Sequence, residues 1–362
     1  MPSLFEPIKL GAITAPNRVF MAPLTRARGT RDHVPSELMK TYYQQRAGAG
    51  LIISEATGIS PQGLGWPFAP GIWSAEQVEA WKPITEAVHD AGGRIFCQLW
   101  HMGRLVHPSF LGGQAPVSSS VTQAPDLAHT YDGKQPYAQS RALEIDEIAA
   151  IVADYGRAAG HAIAAGFDGV QLHGANGYLI DQFLRDNCNL RTDQYGGSIE
   201  NRIRLLREVV QAIADVVGPE RTSVRLSPNG EIHGANDSNP EPLFVAAAEA
   251  LAEIGIAFLE IREPHAESAL RIPDQPPIAP KMRKVFRAPI VLNSEYTLER
   301  AQAALDADEA DAIAFGRAFI ANPDLPHRLE TGLSLNKPDP STFYAQGPAG
   351  YVDYPAAETQ AA

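Results

Sequence analysis

The chain has 362 residues, 44% of them hydrophobic and 20% charged, with a net charge of −12 at pH 7 and two cysteines. It is long enough for one large core, and an acidic balance without a basic stripe excludes a general nucleic-acid backbone binder and leaves small molecules as partners. No apolar run reaches the roughly 18 residues of a membrane span. The start Met1-Pro-Ser-Leu-Phe lacks the basic and apolar regions of a secretory leader, and Cys97 and Cys188 are too few for a disulfide framework or a four-thiolate metal site. The expectation is a cytoplasmic protein with no membrane partner and no metal, a monomer or homodimer.

Taken in chain order, short apolar runs predict strands at Val19–Met21, Leu51–Ser54, Arg94–Gln98, Gly169–Leu172, Ser223–Leu226, Phe258–Ile261, Ile290–Leu292 and Ala312–Phe315. Amphipathic segments fall between them near 36–47, 75–91, 144–165, 198–217, 240–254, 278–287 and 297–306, with Asn322–Leu329 after the last strand. Strand and helix alternating eight times is the order of an α/β (β/α)8 TIM barrel, in one domain over 1–362. Residues 103–142, rich in Pro, Gly, Ser and His, form a long irregular excursion after the third strand, and about 337–362 form a C-terminal tail. Excursions of that length in compact domains tend to serve binding.

Barrel active sites form where the strands end, so the residues there carry the functional signal. They read Pro23-Leu-Thr25, Glu55-Ala56, Gln98, His173, Arg225, Arg262, Asn293-Ser-Glu295 and Gly316-Arg317. A Thr or Gln after a strand serves equally as a turn or surface residue, whereas an Arg following Val224 on a buried run needs an accepting partner. Gly316-Arg317 at the eighth strand suits either phosphate binding or a structural turn with a surface Arg. The densest chemistry is His173-Gly-Ala-Asn176-Gly-Tyr178, just past the fourth strand. Gly174 and Gly177 permit an irregular turn that aims all three polar side chains inward. A neutral His and an Asn can both donate to one carbonyl oxygen, and a Tyr holds a deliverable proton at neutral pH. Such a set suits activation of an enone.

Longer motifs sharpen this. Met21-Ala-Pro-Leu-Thr25-Arg26, Gln98-Leu-Trp100-His101-Met-Gly103-Arg104, the His173–Tyr178 segment, Arg225-Leu-Ser-Pro228, Phe315-Gly-Arg317 and Gly350-Tyr351-Val-Asp-Tyr-Pro355 occur in this order over almost the whole chain. Together they resemble the Old Yellow Enzyme family of FMN-dependent ene-reductases. The His-x-x-Asn pair and the run Val291–Thr297 are most similar to the bacterial 2-cyclohexenone reductase branch. Asn176 stands where many relatives have a second His, Asn293-Ser294-Glu295 where many have a Gly-rich segment, and Trp66 where many have Tyr.

The resemblance implies noncovalent FMN at the barrel mouth and NADPH or NADH as reductant. Pro23 and Ala56 would touch the isoalloxazine, Thr25 and Gln98 would bond its edge, Arg225 would face its N1 side, and Gly316 and Arg317, assisted by Ser294 and Glu295, would take the phosphate. Trp66, Trp100, His173, Asn176 and Tyr351 would line the substrate site. The implied reaction is ping-pong reduction of the C=C bond of α,β-unsaturated carbonyl compounds such as cyclohexenone, with His173 and Asn176 clamping the carbonyl oxygen and Tyr178 protonating the α-carbon. A phosphate-binding lyase or isomerase, a flavin-storage protein and an iron–sulfur dienoyl-CoA reductase remain as rivals. The lack of a strand-end Lys and the two cysteines speak against the first and the last.

Overall fold

The structure, a computed structural model, describes residues 2–265 and 275–357. Eight parallel strands close into a barrel: β1 (Val19–Met21), β2 (Ile52–Ile53), β3 (Ile95–Trp100), β4 (Gly169–His173), β5 (Thr222–Leu226), β6 (Phe258–Arg262), β7 (Ile290–Asn293) and β8 (Ala312–Phe315). Each pairs with its sequence neighbours, and β8 returns to β1 through Ala314 opposite Phe20. The main outer helices are α1 (Glu37–Gln44), α2 (Ala75–Asp90), α3 (Ile145–Ala164), α4 (Arg204–Val217), α5 (Pro240–Ile254), α6 (Ala279–Val285), α7 (Leu298–Asp306) and α8 (Leu325–Thr331). Their apolar stripes, such as Ile148, Ile151, Tyr155, Ala159 and Ala162 of α3, pack on the outward faces of the strands.

Inside the barrel the two-residue period of a strand sorts chemistry by depth. At the bottom, Phe20, Ile53, Phe96, Phe258, Val291 and Ala312 form an apolar plug, closed from below by an N-terminal hairpin, Ile8–Leu10 with Ile13–Ala15. Two residues higher on the same face come Gln98, Gln171, Glu260 and Asn293, and two higher again Trp100, His173 and Arg262. The upper end of the barrel is therefore polar by register.

The expected strands all form, with β3, β4, β6 and β7 running one or two residues further than the apolar runs alone indicated. Three expectations need correction. Segment 198–217 is two helices, Ile199–Arg202 and α4, with Ile203 between them. The segment after β8 is also two, Arg317–Ala321 and α8, because Pro323 lacks an N–H and holds Asn322 outside helical geometry at φ −130°, ψ 87°. Excursion 103–142 is not wholly irregular. Leu127–Thr130 and Gly133–Pro136 form an antiparallel ribbon, and Val117–Ser118 pairs with Arg141–Ala142. No helix among the described residues is long and apolar enough to cross a membrane.

Candidate active site

Two adjoining cavities open at the C-terminal ends of the strands, of about 410 Å³ and about 260 Å³, and share Pro23, Leu24, Arg225 and Arg317. Ser294, Glu295 and Gly316 line the larger; Thr25, Ala56, Trp66, Gln98, Trp100, His173, Asn176 and Tyr178 line the smaller. Every residue anticipated from sequence faces one of them except Tyr351. That ring is fully buried behind the site, stacked at 4.1 Å on Tyr42 with the Arg26 and Arg28 guanidiniums over it. Phe343 and Tyr344, from the same tail, take its place at the cavity. Trp66 packs at 4.5 Å on His129, so the excursion ribbon supplies part of this wall.

The turn that carries His173, Asn176 and Tyr178 is held from several sides. Asn176 and Gly177 adopt φ of 59° and 75°, which Asn and Gly tolerate best. A Cβ at Gly177 would lie 2.6 Å from the Ile232 carbonyl. Asn176 N–H donates to Ser227 Oγ and Gly177 N–H to Asp181 Oδ2, both at 2.8 Å, while Gln182 Nε2 donates to the Gly177 carbonyl at 2.8 Å. Asp181 is itself clamped by buried Arg185 at 2.9 Å. The outcome is a cluster: the Tyr178 ring meets His173 edge-on at 4.8 Å and Trp100 at 4.9 Å.

Electrostatics set the protonation of this cluster. Burial, and then the Arg225 cation, hold His173 well below the ordinary imidazole value, so it is neutral. Its Nδ1 accepts a long 3.4 Å bond from Ala175 N–H, which leaves Nε2 as the N–H donor. Asn176 Oδ1 is buried without a partner, and its amide NH2 makes no bond among the described residues. Burial, followed by the nearby Tyr137 and Tyr344 hydroxyls, raises Tyr178 above the usual phenol value, so it keeps its proton at neutral pH. Two donors and one acid therefore converge on one cavity.

The larger cavity has a predominantly cationic lining. Arg225, Arg262 and Arg317 all border it. Burial, with Arg225 and Arg317 adding repulsion against an opposing pull from Glu295, pushes Arg262 down to about 10. Its Nη1 is buried without a hydrogen-bond partner among the described residues. A half-buried guanidinium in that state calls for a multiply charged acceptor, and a phosphate monoester supplies one. Arg262 stood among the strand-end residues but drew no role from sequence; its signal was an Arg closing the buried run Phe-Leu-Glu-Ile.

Arg225 is fixed by Glu260, whose Oε1 lies 2.9 Å from its Nε, and by Asn293 Oδ1, which accepts from Nη2 at 2.7 Å. The Glu260 contact is off the N–H axis and acts as an ion pair rather than a hydrogen bond. Gln98, at the neighbouring wall, keeps its own Oε1 free of any partner among the described residues.

A barrel mouth that joins a cationic pocket to a donor-lined slot suits a flavin-dependent oxidoreductase, and comparison with known proteins gives that class. A family model described as "NADH:flavin oxidoreductase / NADH oxidase family" matches residues 3–336, and the chain belongs to this family, that of the Old Yellow Enzymes. The Old Yellow Enzyme homologue from Zymomonas mobilis superposes with a TM-score of 0.96 at 61% identity, covering 98% of this chain and 99% of that one. Morphinone reductase in complex with tetrahydroNAD gives 0.93 at 48% identity, covering 99% of each. The 12-oxophytodienoate reductase 2 of Arabidopsis thaliana is 42% identical over 362 residues, 99% of this chain and 96% of its own. The cofactor is FMN and the reductant a nicotinamide dinucleotide, and the orphaned Arg262 beside Arg317 fits the FMN phosphate.

Proposed function

We propose that the protein reduces the C=C bond of α,β-unsaturated carbonyl compounds, cyclic enones such as cyclohexenone among them, with NADH or NADPH in a ping-pong cycle. When bound, FMN supplies the two-electron relay between nicotinamide and alkene. The observation that carries the reading is the convergence of His173, Asn176 and Tyr178 on the slot that adjoins the anion pocket.

The chain's own residues divide the remaining work. Arg317, Gly316 and Arg262 hold the phosphate, with Ser294 and Glu295 bordering it, while Pro23, Thr25, Ala56 and Gln98 line the path of the ring system. Arg225 is a permanent cation for negative charge on that ring, a task for which Lys is no equivalent. His173 Nε2–H and the Asn176 amide donate to the carbonyl oxygen, drawing electron density from the β-carbon and holding the enolate that follows. Tyr178 then delivers its proton to the α-carbon. Trp66, Trp100, Phe343 and Tyr344 exclude water and set the size of the alkene. The two free, buried cysteines suit a cytoplasmic setting.

Phenolates mimic the enolate and test the clamp directly. Titration of the FMN-loaded protein with a para-substituted phenol is expected to give a long-wavelength charge-transfer band, and His173→Ala to weaken that titration by roughly 10-fold or more, the loss of one hydrogen bond to a charged oxygen. Equal phenol affinity in both proteins would place the substrate oxygen elsewhere.

A further inference from the structure

Gln171 and Glu260, which the mechanism leaves unused, join Gln98 to Arg225 in a continuous polar chain across the barrel. Gln98 Nε2 donates to Gln171 Oε1 at 2.8 Å, and Gln171 Nε2 donates to Glu260 Oε2 at 2.8 Å. Glu260 holds its other oxygen 2.9 Å from Arg225. Gln171 and Glu260 are 0% and 1% exposed, so bulk solvent does not compete for either. The registers that align them, Gln171 beside Gln98 and Arg225 beside Glu260, are those of the barrel itself.

A carboxylate can only accept. With Glu260 paired to a guanidinium, Gln171 must turn its NH2 toward it, which points the Gln171 carbonyl at Gln98. Gln98 must then give its own NH2 to Gln171. Its carbonyl oxygen is left over, on a residue that lines the cavity. The direction of both amides thus follows from one buried charge, and reversing either would set two acceptors or two donors face to face inside the barrel.

We propose that Glu260 and Gln171 are positioning residues that lock Gln98 as an obligate hydrogen-bond acceptor toward the cofactor. The lock selects a ring edge that carries an N–H. Oxidised FMN has one such group on its pyrimidine edge, N3–H, between two carbonyls. The inference rests on the function proposed above, with Gln98 set at the pyrimidine edge of the ring system that it lines.

The test compares FMN with N3-methyl-FMN in binding to the apoprotein, followed by quenching of flavin fluorescence. Wild type is expected to prefer FMN by at least about 10-fold, because the methylated flavin leaves a buried acceptor unpaired. Gln171→Met conserves volume and touches no ligand, so a merely structural role would weaken both flavins in parallel. Loss of the lock instead frees the Gln98 amide to turn its NH2 toward the flanking carbonyls, and the preference is expected to fall several-fold toward unity. Glu260→Gln, an isosteric change that can point either way, is expected to do the same. An unchanged ratio in a folded variant overturns the proposal. A further check needs no variant: the Gln98 side-chain NH2 of wild type, donated inside the barrel, is expected to exchange slowly with solvent, and fast exchange overturns the lock. A wild-type protein that binds neither flavin refutes the cofactor site itself, a result distinct from equal ratios.

Discussion

Arg262→Met separates the cofactor's demands from those of the fold, because the two pull in opposite directions. In the apoprotein Arg262 is driven from 12.5 to about 10 by burial and by the neighbouring cations. That displacement corresponds to roughly 3 kcal/mol of unrelieved cost, an upper bound since solvent reaches part of the cavity. Met keeps most of the volume and removes the charge, so the apoprotein is expected to gain on the order of 1–2 kcal/mol of stability, less than the bound because packing is not fully retained. Phosphate binding loses one or two charge-assisted hydrogen bonds, about 1.5–3 kcal/mol each, so the FMN dissociation constant should rise roughly 10- to 150-fold for a single bond. Riboflavin, which lacks the phosphate, should bind variant and wild type alike. Chemical denaturation of the apoprotein together with flavin-fluorescence titrations reads all three quantities. The reasoning is refuted if FMN and riboflavin weaken in parallel, or if the apoprotein is destabilised while FMN affinity holds.

Gly177→Ala places a methyl 2.6 Å from the Ile232 carbonyl in a residue at φ 75°, so it is expected to cost about 1–3 kcal/mol and to slow enone reduction more than FMN reduction, seen by comparing melting with the two half-reaction rates. His101 is buried with its Nε2 unpartnered, and burial pushes it down to about 3 from 6.5. Only the unfolded chain takes up this proton in between, so stability is full above pH 6.5 and is lost as pH falls from 6.5 toward about 3, by roughly 1.4 kcal/mol per pH unit; His101→Gln is expected to flatten a urea-melt pH series by that slope. Tyr344→Ala is expected to lower KM for bulky enones several-fold relative to a small one while Tyr351→Phe leaves both unchanged, because only Tyr344 borders the cavity; steady-state kinetics with a small and a large enone decides it.

The barrel was legible because parallel strands buried on both faces read as unbroken apolar runs, so Ala312–Phe315 and Ile290–Leu292 announce themselves. The N-terminal hairpin was not, since two three-residue strands, Ile8–Leu10 and Ile13–Ala15, carry too little periodicity to register. His173, Asn176 and Tyr178 were readable as a set because one turn carries all three. Tyr351 and Tyr344 were not separable: the tail lacks a period, and only tertiary packing on Tyr42 and Trp66 decides which ring is core and which is wall. Glu260 and Gln171 did leave a signal, a charge and an amide in the middle of apolar strands. Their partners, however, lie on other strands and follow from register alone.

The central claim, that one slot reduces an enone and Tyr178 supplies its proton, is tested most directly by anaerobic stopped-flow absorbance of both half-reactions in wild type and Tyr178→Phe. Bleaching of bound FMN by the nicotinamide needs no proton from Tyr178 and is expected to keep nearly its wild-type rate. Recolouring by 2-cyclohexenone is expected in wild type and should fall by roughly 10²–10⁴-fold in the variant, the usual contribution of a positioned general acid. Wild-type protein that is bleached but never recoloured by the enone, or a variant that matches wild type in both phases, would contradict the account.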